Sequence, residues 1–191
     1  MKTIIDTSSL LALVRYYLPF DINNTLYNHL KTEILEKRII IVNNVIEESK
    51  YISKKIIREK LVYLFDSSLK SCLIKEDNMV FLKPPKTFFN DLDNRFLVNG
   101  VKSKLRKEEY DNLRNKFLNS ADSQIILYAD YLKRTNEDVQ VLTEETPTSN
   151  DGKIFKKIPS ICKMINVEAL SLPKYLESLS DISIEVKNNL P

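Results

Sequence analysis

Four acidic residues in this 191-residue chain stand where short apolar runs end or where apolar helical segments begin. They are Asp6, Glu48, Asp122 and Glu145. Carboxylates gathered at one place repel one another and raise each other's pKa, so a fold rarely collects four of them without a cation. Ligand sets made only of oxygen favour Mg²⁺ or Mn²⁺. One or two such ions polarise a phosphoryl group and activate water, so the pattern predicts hydrolysis of a phosphodiester.

The composition excludes several other kinds of chemistry. His29 is the single histidine, so no Ser/His/Asp or Cys/His triad that needs a second one can form. With Gly100 and Gly152 as the only glycines, the glycine-rich fingerprints that bind nucleotide phosphates are absent. We expect Cys72 and Cys162, which are far apart, to be reduced. The net charge of +3 permits a nucleic-acid partner without requiring one.

Two of the acids have an ordinary structural explanation that is as good as the functional one. Asp6 stands directly before a helical segment and can cap it. Asp122 stands in the first turn of another helix, where a negative charge complements the helix dipole. Taken one at a time, neither residue decides between a structural and a functional role.

The other two acids each have an acidic neighbour, so a choice is needed. At ~100° per residue along a helix, Glu48 lies at the edge of the apolar face and Glu47 points almost opposite, to solvent. The geometry therefore favours Glu48. Glu144 and Glu145 both follow a predicted strand, and geometry does not choose between them.

Short apolar runs that alternate with longer helical patterns predict an α/β fold. The predicted strands are residues 3–6, 39–42, 79–82, 140–143 and 166–170. Strands that are short and unalternating are typical of sheets covered on both faces. Strand–helix alternation implies parallel strands with right-handed crossovers. We therefore expect a three-layer α/β/α sandwich with a central, mainly parallel five-stranded sheet.

In such sheets ligands bind at the carboxyl ends of the strands. Asp6, Glu48 and Glu145 would lie at this edge, and Asp122 joins them only if its helix starts on the same side. We expect one domain over residues 1–179, with 83–119 as a helical insertion and 180–191 as a tail. Asp6 interrupts the first apolar run before a signal peptide can develop, and no run reaches transmembrane length. We expect a cytoplasmic protein with no membrane partner.

The order and placement of the acids resemble those of the PIN-domain ribonucleases, whose largest group is the VapC-type toxins. IIDTSSLLAL looks like the first motif of that family, VNNVIEES like the second, SADSQIILYA like the third and VLTEE like the fourth. The resemblance implies that the four acids are catalytic and bind the metal, with Thr7, Ser8 and Thr143 in support. Its Val-x-x-Glu spacing selects Glu48, and Thr143 leads to Glu145.

What the resemblance implies is a PIN-like fold and an Mg²⁺- or Mn²⁺-dependent endoribonuclease that uses one or two ions. Single-stranded or loop RNA is the expected substrate. The resemblance also implies the toxin of a toxin–antitoxin pair, with a cognate antitoxin and a homodimer as partners. RYYLPFDINNTLYNHL and KKIPSICKMINVEALSLPKYLESL resemble a less characterised branch with a C-terminal KIPxxC block. The sequence departs from the family in having Glu145 where Asp is common, and in the longer segment 83–119.

Two groups of basic residues are predicted to contact RNA phosphates. They are Lys153, Lys156 and Lys157, which follow the Glu145 loop, and Lys102, Lys104 and Arg106, for which a merely solvated loop is an equally good explanation.

Two alternative functions remain open. One is a non-catalytic PIN-like module that binds RNA or protein, and the other is a DNA nuclease. A haloacid dehalogenase-type phosphatase requires Asp-x-Asp at the first strand, where this sequence has Asp6-Thr7-Ser8.

Overall fold

A computed structural model describes residues 1–75, 77–147 and 152–179 of the chain, and a four-stranded sheet lies at its centre. The strands are β1 (Lys2–Ile5), β2 (Ile39–Ile40), β3 (Val139–Leu142) and β4 (Glu168–Leu170). Their order across the sheet is β2-β1-β3-β4, and every pair is parallel. The prediction of a parallel α/β fold is thus confirmed, with four strands in place of the five expected. The predicted tail, residues 180–191, lies outside the described residues.

Helices flank the sheet. In the first half of the described chain they are α1 (Thr7–Ala12), α2 (Thr25–Leu35), α3 (Asn43–Ser49), α4 (Ile56–Lys60), α5 (Ser67–Lys70) and α6 (Met79–Leu82). In the second half they are α7 (Lys86–Asn94), α8 (Asn99–Lys102), α9 (Lys107–Leu118), α10 (Ala121–Arg134), α11 (Ile158–Met164) and α12 (Leu172–Glu177). A π-helical turn (Leu13–Tyr17) continues α1, and short 3₁₀ turns cover Leu18–Phe20, Ile52–Lys55 and Val62–Phe65.

The two central strands are buried and joined in one register. Ile4 of β1 pairs with Val141 of β3, and both side chains are fully buried. The one polar pair of this ladder, Thr3 and Gln140, is buried as well, and the Gln140 amide donates to the Thr3 hydroxyl at 2.9 Å. A satisfied buried pair of this kind keeps the register, because a slip would leave both groups without partners. The register aligns the carboxyl ends of β1 and β3.

The prediction of a strand at residues 79–82 is wrong, because these residues form the helix α6. Asn78 caps this turn: its side-chain oxygen accepts from the Val80 N–H at 3.0 Å, and its carbonyl accepts from the Phe81 N–H at 2.9 Å. The Phe81 ring then packs against Tyr128 of α10, with ring centroids 6.0 Å apart. An apolar run of four residues fits a buried helical turn as well as a strand, and here the cap decides.

The chain instead passes the outer edge of β2 at Ile74. The Ile74 N–H donates to the Ile41 carbonyl at 3.1 Å, and the Asn43 N–H donates to the Ile74 carbonyl at 2.8 Å. These bonds form a single parallel bridge between Val42 and Ile74, not a strand. The edge of the sheet is therefore partly covered five residues before the position that the apolar pattern indicated.

Residues 83–119 contain three helices, and a charged cluster joins two of them. Asp93 of α7 accepts hydrogen bonds at 2.6 Å from both the Tyr110 hydroxyl and the Arg114 guanidinium of α9. Burial opposes ionisation of this carboxyl group, but the bonds from Arg114 and Tyr110 outweigh it and lower the pKa of Asp93. The segment also pairs with the chain after β3, because the Val98 N–H donates to the Ile154 carbonyl at 2.8 Å. The helices of the segment thus have a fixed place beside residues 152–157.

None of the helices in the described part of the chain combines the length and the apolar character needed to cross a bilayer.

Candidate functional site

Asp6 lies at the junction of β1 and α1, at the carboxyl edge of the sheet, and it is almost fully buried. Its Oδ1 accepts from the Thr7 N–H at 2.6 Å. Its Oδ2 accepts from the hydroxyls of Ser8, at 2.6 Å, and Thr143, at 3.0 Å. A buried carboxylate needs such donors to offset its lost hydration. Asp6 therefore does cap α1, and the same bonds hold it in one orientation beside the end of β3.

The loop after β3 is fastened to the start of α1 by hydroxyl groups. The Glu144 N–H donates to the Ser8 hydroxyl oxygen at 3.0 Å, and the Glu145 N–H donates to the Thr143 hydroxyl oxygen at 3.2 Å. Ser8 and Thr143 both also donate to Asp6. The carboxyl ends of the two central strands are thus joined through three side chains.

Glu48 extends from α3 toward the same place. Its Oε2 accepts from the Thr7 hydroxyl at 2.9 Å. Although the residue as a whole is exposed, desolvation of its carboxyl group raises the pKa of Glu48, the Thr7 bond lowers it and the charge of Asp6 raises it further, with a net upward shift. Glu47 is exposed and forms an ion pair of 2.6 Å with Lys50. The structure thus places the two neighbours as the helical geometry predicts.

Asp122 lies in the first turn of α10, after the capping residue Ser120, whose hydroxyl accepts from the Ser123 N–H at 3.3 Å. Burial raises the pKa of Asp122 to about 7, with further contributions from the charges of Asp6, Glu145 and Glu48, while Lys153 lowers it. The helix therefore begins on the side of the sheet where β1 and β3 end. The other three predicted acids are thus all close enough to act electrostatically on Asp122.

The two acids after β3 have different partners. Glu144 accepts at 2.6 Å from the Leu172 N–H, the first residue of α12. Glu145 accepts at 3.1 Å from the Ile158 N–H, the first residue of α11, and its Oε1 lies 3.8 Å from the Lys157 ammonium. Both carboxylates hold helix ends, but only Glu145 is among the charges that raise the pKa of Asp122.

Replacing Glu144 by Ala is expected to lower the free energy of unfolding by about 1–2 kcal/mol, the usual effect of losing a helix cap or a partly buried charge-assisted hydrogen bond. Urea denaturation monitored by circular dichroism measures the change. Glu47→Ala is the matched control, since its surface ion pair with Lys50 contributes ~1 kcal/mol at most. Equal losses in the two variants would contradict the capping role of Glu144.

Whether the site could bind a metal ion depends on which side chains could coordinate it and how close together they lie. Within residues 1–75, 77–147 and 152–179, no three His, Cys, Asp or Glu side chains converge closely enough to hold one ion. The donor set itself is all oxygen, which suits Mg²⁺ or Mn²⁺. After burial, the charges of Asp6, Glu145 and Glu48 raise the pKa of Asp122, and a cation would relieve this repulsion. The charge and the oxygen donors of these residues thus suit such an ion. The distances between their side chains in this structure are too long for three of them to bind it together.

The two predicted basic groups lie differently with respect to the acids. Lys153, Lys156 and Lys157 line a groove of about 410 Å³ whose lining also includes Asp122 and Glu145. The other three predicted residues are not among the described residues that line it. Lys102 instead donates to the Asp93 carbonyl at 2.9 Å and covers the Tyr110 ring, and Lys104 and Arg106 are exposed.

The opposite side of this groove comes from α9 and was not predicted. Leu113, Lys116 and Phe117 line it, and we call it the α9 groove, between α9 and residues 152–157. Leu113 and Phe117 are four residues apart and so lie on one face of the helix. That spacing was visible in the sequence, but nothing in it indicated that this face lies beside Asp122.

Comparison with known proteins gives one result. A family model described as "Domain of unknown function (DUF4411)" matches residues 3–181. No curated protein and no solved structure matches the chain significantly. The description of the family carries no activity, so a functional assignment depends on the residues themselves.

Proposed function

The chain belongs to the DUF4411 family, and we propose that it is an Mg²⁺- or Mn²⁺-dependent endoribonuclease of the PIN type. The observation that carries the proposal is the gathering of four carboxylates: burial raises the pKa of Asp122 to about 7, and the charges of Asp6, Glu145 and Glu48 add to this shift. The four-stranded parallel sheet is compatible with a PIN-like fold, and the acids stand at its carboxyl edge, where α/β folds bind ligands.

The four acids have distinct parts in this proposal. A divalent cation held by Asp6, Glu48, Asp122 and Glu145 would supply the Lewis acidity that phosphodiester hydrolysis requires. Asp6 is the fixed member, since three hydrogen bonds determine its orientation. Thr7 orients Glu48 by its hydroxyl. The lysines after Glu145 place positive charge beside the acids and attract the phosphate backbone of the substrate.

The direct test is to incubate the purified protein with single-stranded RNA or DNA in Mg²⁺, in Mn²⁺ or in EDTA. The expected result is metal-dependent internal cleavage of RNA that leaves 5′-phosphate ends and stops in EDTA. Cleavage that persists in EDTA would contradict the proposal, and cleavage of DNA in preference to RNA would support the alternative of a DNA nuclease.

Glu48→Gln is expected to lower the cleavage rate at least about 10- to 100-fold, the loss typical even for residues that only support a metal ligand. Glu47→Gln is the matched control and should cleave at the wild-type rate, because Glu47 is exposed and forms a surface ion pair with Lys50. Initial rates on a labelled RNA measure both. Loss in Glu47→Gln together with full activity in Glu48→Gln would reverse the assignment of the two residues.

One observation favours a second candidate function, a non-catalytic PIN-like module that binds RNA or protein. Glu145 is engaged by Ile158 and Lys157, and among the described residues no three acids converge on one point. RNA binding with no cleavage under any of the metal conditions would support this candidate.

The biological role that we propose is that of a toxin held inactive by an antitoxin, with a homodimer as a further proposed state. Induced expression of the wild-type protein is the test in cells. Growth arrest by the wild type and not by a non-cleaving variant supports the toxin role, whereas equal growth of both opposes it.

A further inference from the structure

The walls of the α9 groove are largely apolar although it adjoins a site of four acids. They include Leu113 and Phe117 of α9, and Ile154 and Phe155 from the facing segment. Phe117 stacks on Phe155, with ring centroids 4.2 Å apart and ring planes 20° apart. Leu113 remains 38% exposed. A volume of about 410 Å³ lies within the ~300–1,000 Å³ typical of small-ligand sites.

Positive charge surrounds these apolar walls. Lys116, Lys153, Lys156 and Lys157 all line the α9 groove. Lys156 is held in place by donating to the Arg95 carbonyl at 2.7 Å. A cleft with cationic side chains and apolar walls attracts a polyanion that also carries flat apolar groups. A single nucleic-acid strand has this combination, whereas a duplex keeps its bases stacked and paired.

The described residues of the groove offer few groups that could read the edges of a base. Among those that line it, Ser120 has the one polar side chain apart from the acids and lysines. Its hydroxyl already donates to the Phe117 carbonyl at 2.7 Å and accepts from the Ser123 N–H at 3.3 Å. Contact with the face of a base does not depend on which base it is, because every base has a π-face.

We infer that the α9 groove receives an unpaired base of the substrate strand next to the phosphate that lies at the four acids. This inference rests on the proposed nuclease function and adds to it how the substrate is selected. Single strands are preferred over duplexes because only an unstacked base can enter, and preference among the four bases is weak. The segment 83–119 thereby becomes part of the substrate site, since α9 supplies one of its walls.

Binding measurements test the inference separately from cleavage. The protein carries Asp6→Asn, so that the RNA survives, and the probe is a fluorescein-labelled 10-nucleotide RNA followed by anisotropy in Mg²⁺. In this background Leu113→Ser is expected to weaken binding of the single strand about fivefold or more, the lower end of the effect of losing a base contact. Leu35→Ser is the matched control, because Leu35 is similarly exposed, at 43%, and does not line the groove.

Three further readouts complete the test. Lys116→Ala is expected to reduce the slope of log K against log salt by about 0.7, as for one phosphate contact on a single strand, with the exposed Lys31→Ala as control. A duplex of equal length should bind about tenfold more weakly than the single strand, and Leu113→Ser should narrow this difference. Oligonucleotides of A, C and U should bind within about tenfold of one another.

Equal binding by Leu113→Ser and Leu35→Ser would overturn the inference, and so would a duplex bound as well as the single strand. Selectivity for one base well beyond tenfold would overturn the weak preference among bases. Absence of cleavage by the wild type, with the Leu113 effect on binding intact, would overturn the proposed hydrolysis and leave the base-binding groove standing. The two proposals therefore fail by different results.

Discussion

The Asp6→Asn protein is expected to fold and to lose RNA cleavage by at least about 100-fold, as when one preorganised charge is removed from an active site. The loss of activity is expected because the substitution removes a charge at this position, and not because it changes the size of the side chain. Asn has nearly the shape of Asp and keeps an oxygen that can accept from the Thr7 N–H, so the cap of α1 survives. The charge that lies between Thr7, Ser8 and Thr143 is what disappears.

A second aspartate allows the capping role and the catalytic role to be separated. Asp21 accepts from the N–H groups of Leu26 and Tyr27, at 3.1 and 2.8 Å, and thus caps α2, whereas Asp6 caps α1. Asp21→Asn should cleave RNA at the wild-type rate. Initial rates in Mg²⁺ and Mn²⁺, with melting curves to show that both variants fold, provide the measurement. Wild-type activity in Asp6→Asn would remove the basis of the nuclease proposal.

The second large effect is expected at Asp122 and concerns stability as a function of pH. The pKa of this carboxyl group is about 7 in the folded protein and 3.8 in the absence of the fold. Because the folded state holds the proton more tightly, this group favours folding most strongly at low pH, and its contribution is lost as the pH rises from about 4 to about 7. At ~1.4 kcal/mol per pKa unit, the loss is at most about 4.5 kcal/mol.

The Asp122→Asn variant has no ionisable group at this position, so its stability should not fall in this way as the pH rises. In EDTA at pH 8, the variant is expected to melt several degrees above the wild type, since ~1 kcal/mol corresponds to ~2–4 °C in a chain of this size. At pH 4 the two proteins should melt together. The same variant should lose RNA cleavage, so that stability and activity move in opposite directions.

Thermal melts across this pH range, with and without Mn²⁺, measure the effect. Mn²⁺ should raise the melting temperature of the wild type at pH 8 and that of Asp122→Asn much less, because the cation relieves the same repulsion that the substitution removes. Asp111→Asn, at an exposed position on α9, is the control and should follow the wild type. Parallel pH profiles for Asp122→Asn and the wild type would contradict the raised pKa of Asp122, and an equal effect of Mn²⁺ on both proteins would contradict a cation bound among these acids.

Local patterns predicted those parts of the fold in which neighbours along the chain decide the structure. The four strands of the sheet were among the predicted ones, and the choice of Glu48 over Glu47 agrees with where α3 places the two side chains. The prediction of a strand at residues 79–82 was wrong because a run of four apolar residues is compatible with both a strand and a buried helical turn. The Asn78 cap and the contact of Phe81 with the distant residue Tyr128 made that run a helix.

The α9 groove could not be predicted for a different reason. Leu113 and Phe117 are ordinary apolar residues of an amphipathic helix, and their place is set by bonds formed far along the chain. The Asp93–Arg114 pair joins α7 to α9, and the Val98 N–H joins the segment to the Ile154 carbonyl. The periodicity of a sequence predicts which face of a helix is apolar. It does not predict which part of the fold that face will contact.

The pairing of the two central strands also has a consequence for synthesis of the protein. β1 is made first, yet its neighbour β3 begins at Val139, and the Asp6–Thr143 bond spans 137 positions. At ~5–20 residues per second, a ribosome needs roughly 7–30 s to reach that point after β1. The carboxylates from the two ends of this interval cannot meet earlier, whatever the order in which the helices form. A nascent chain therefore carries no assembled acidic site until translation has passed Thr143 and Glu145, even though Asp6 is made within the first seconds.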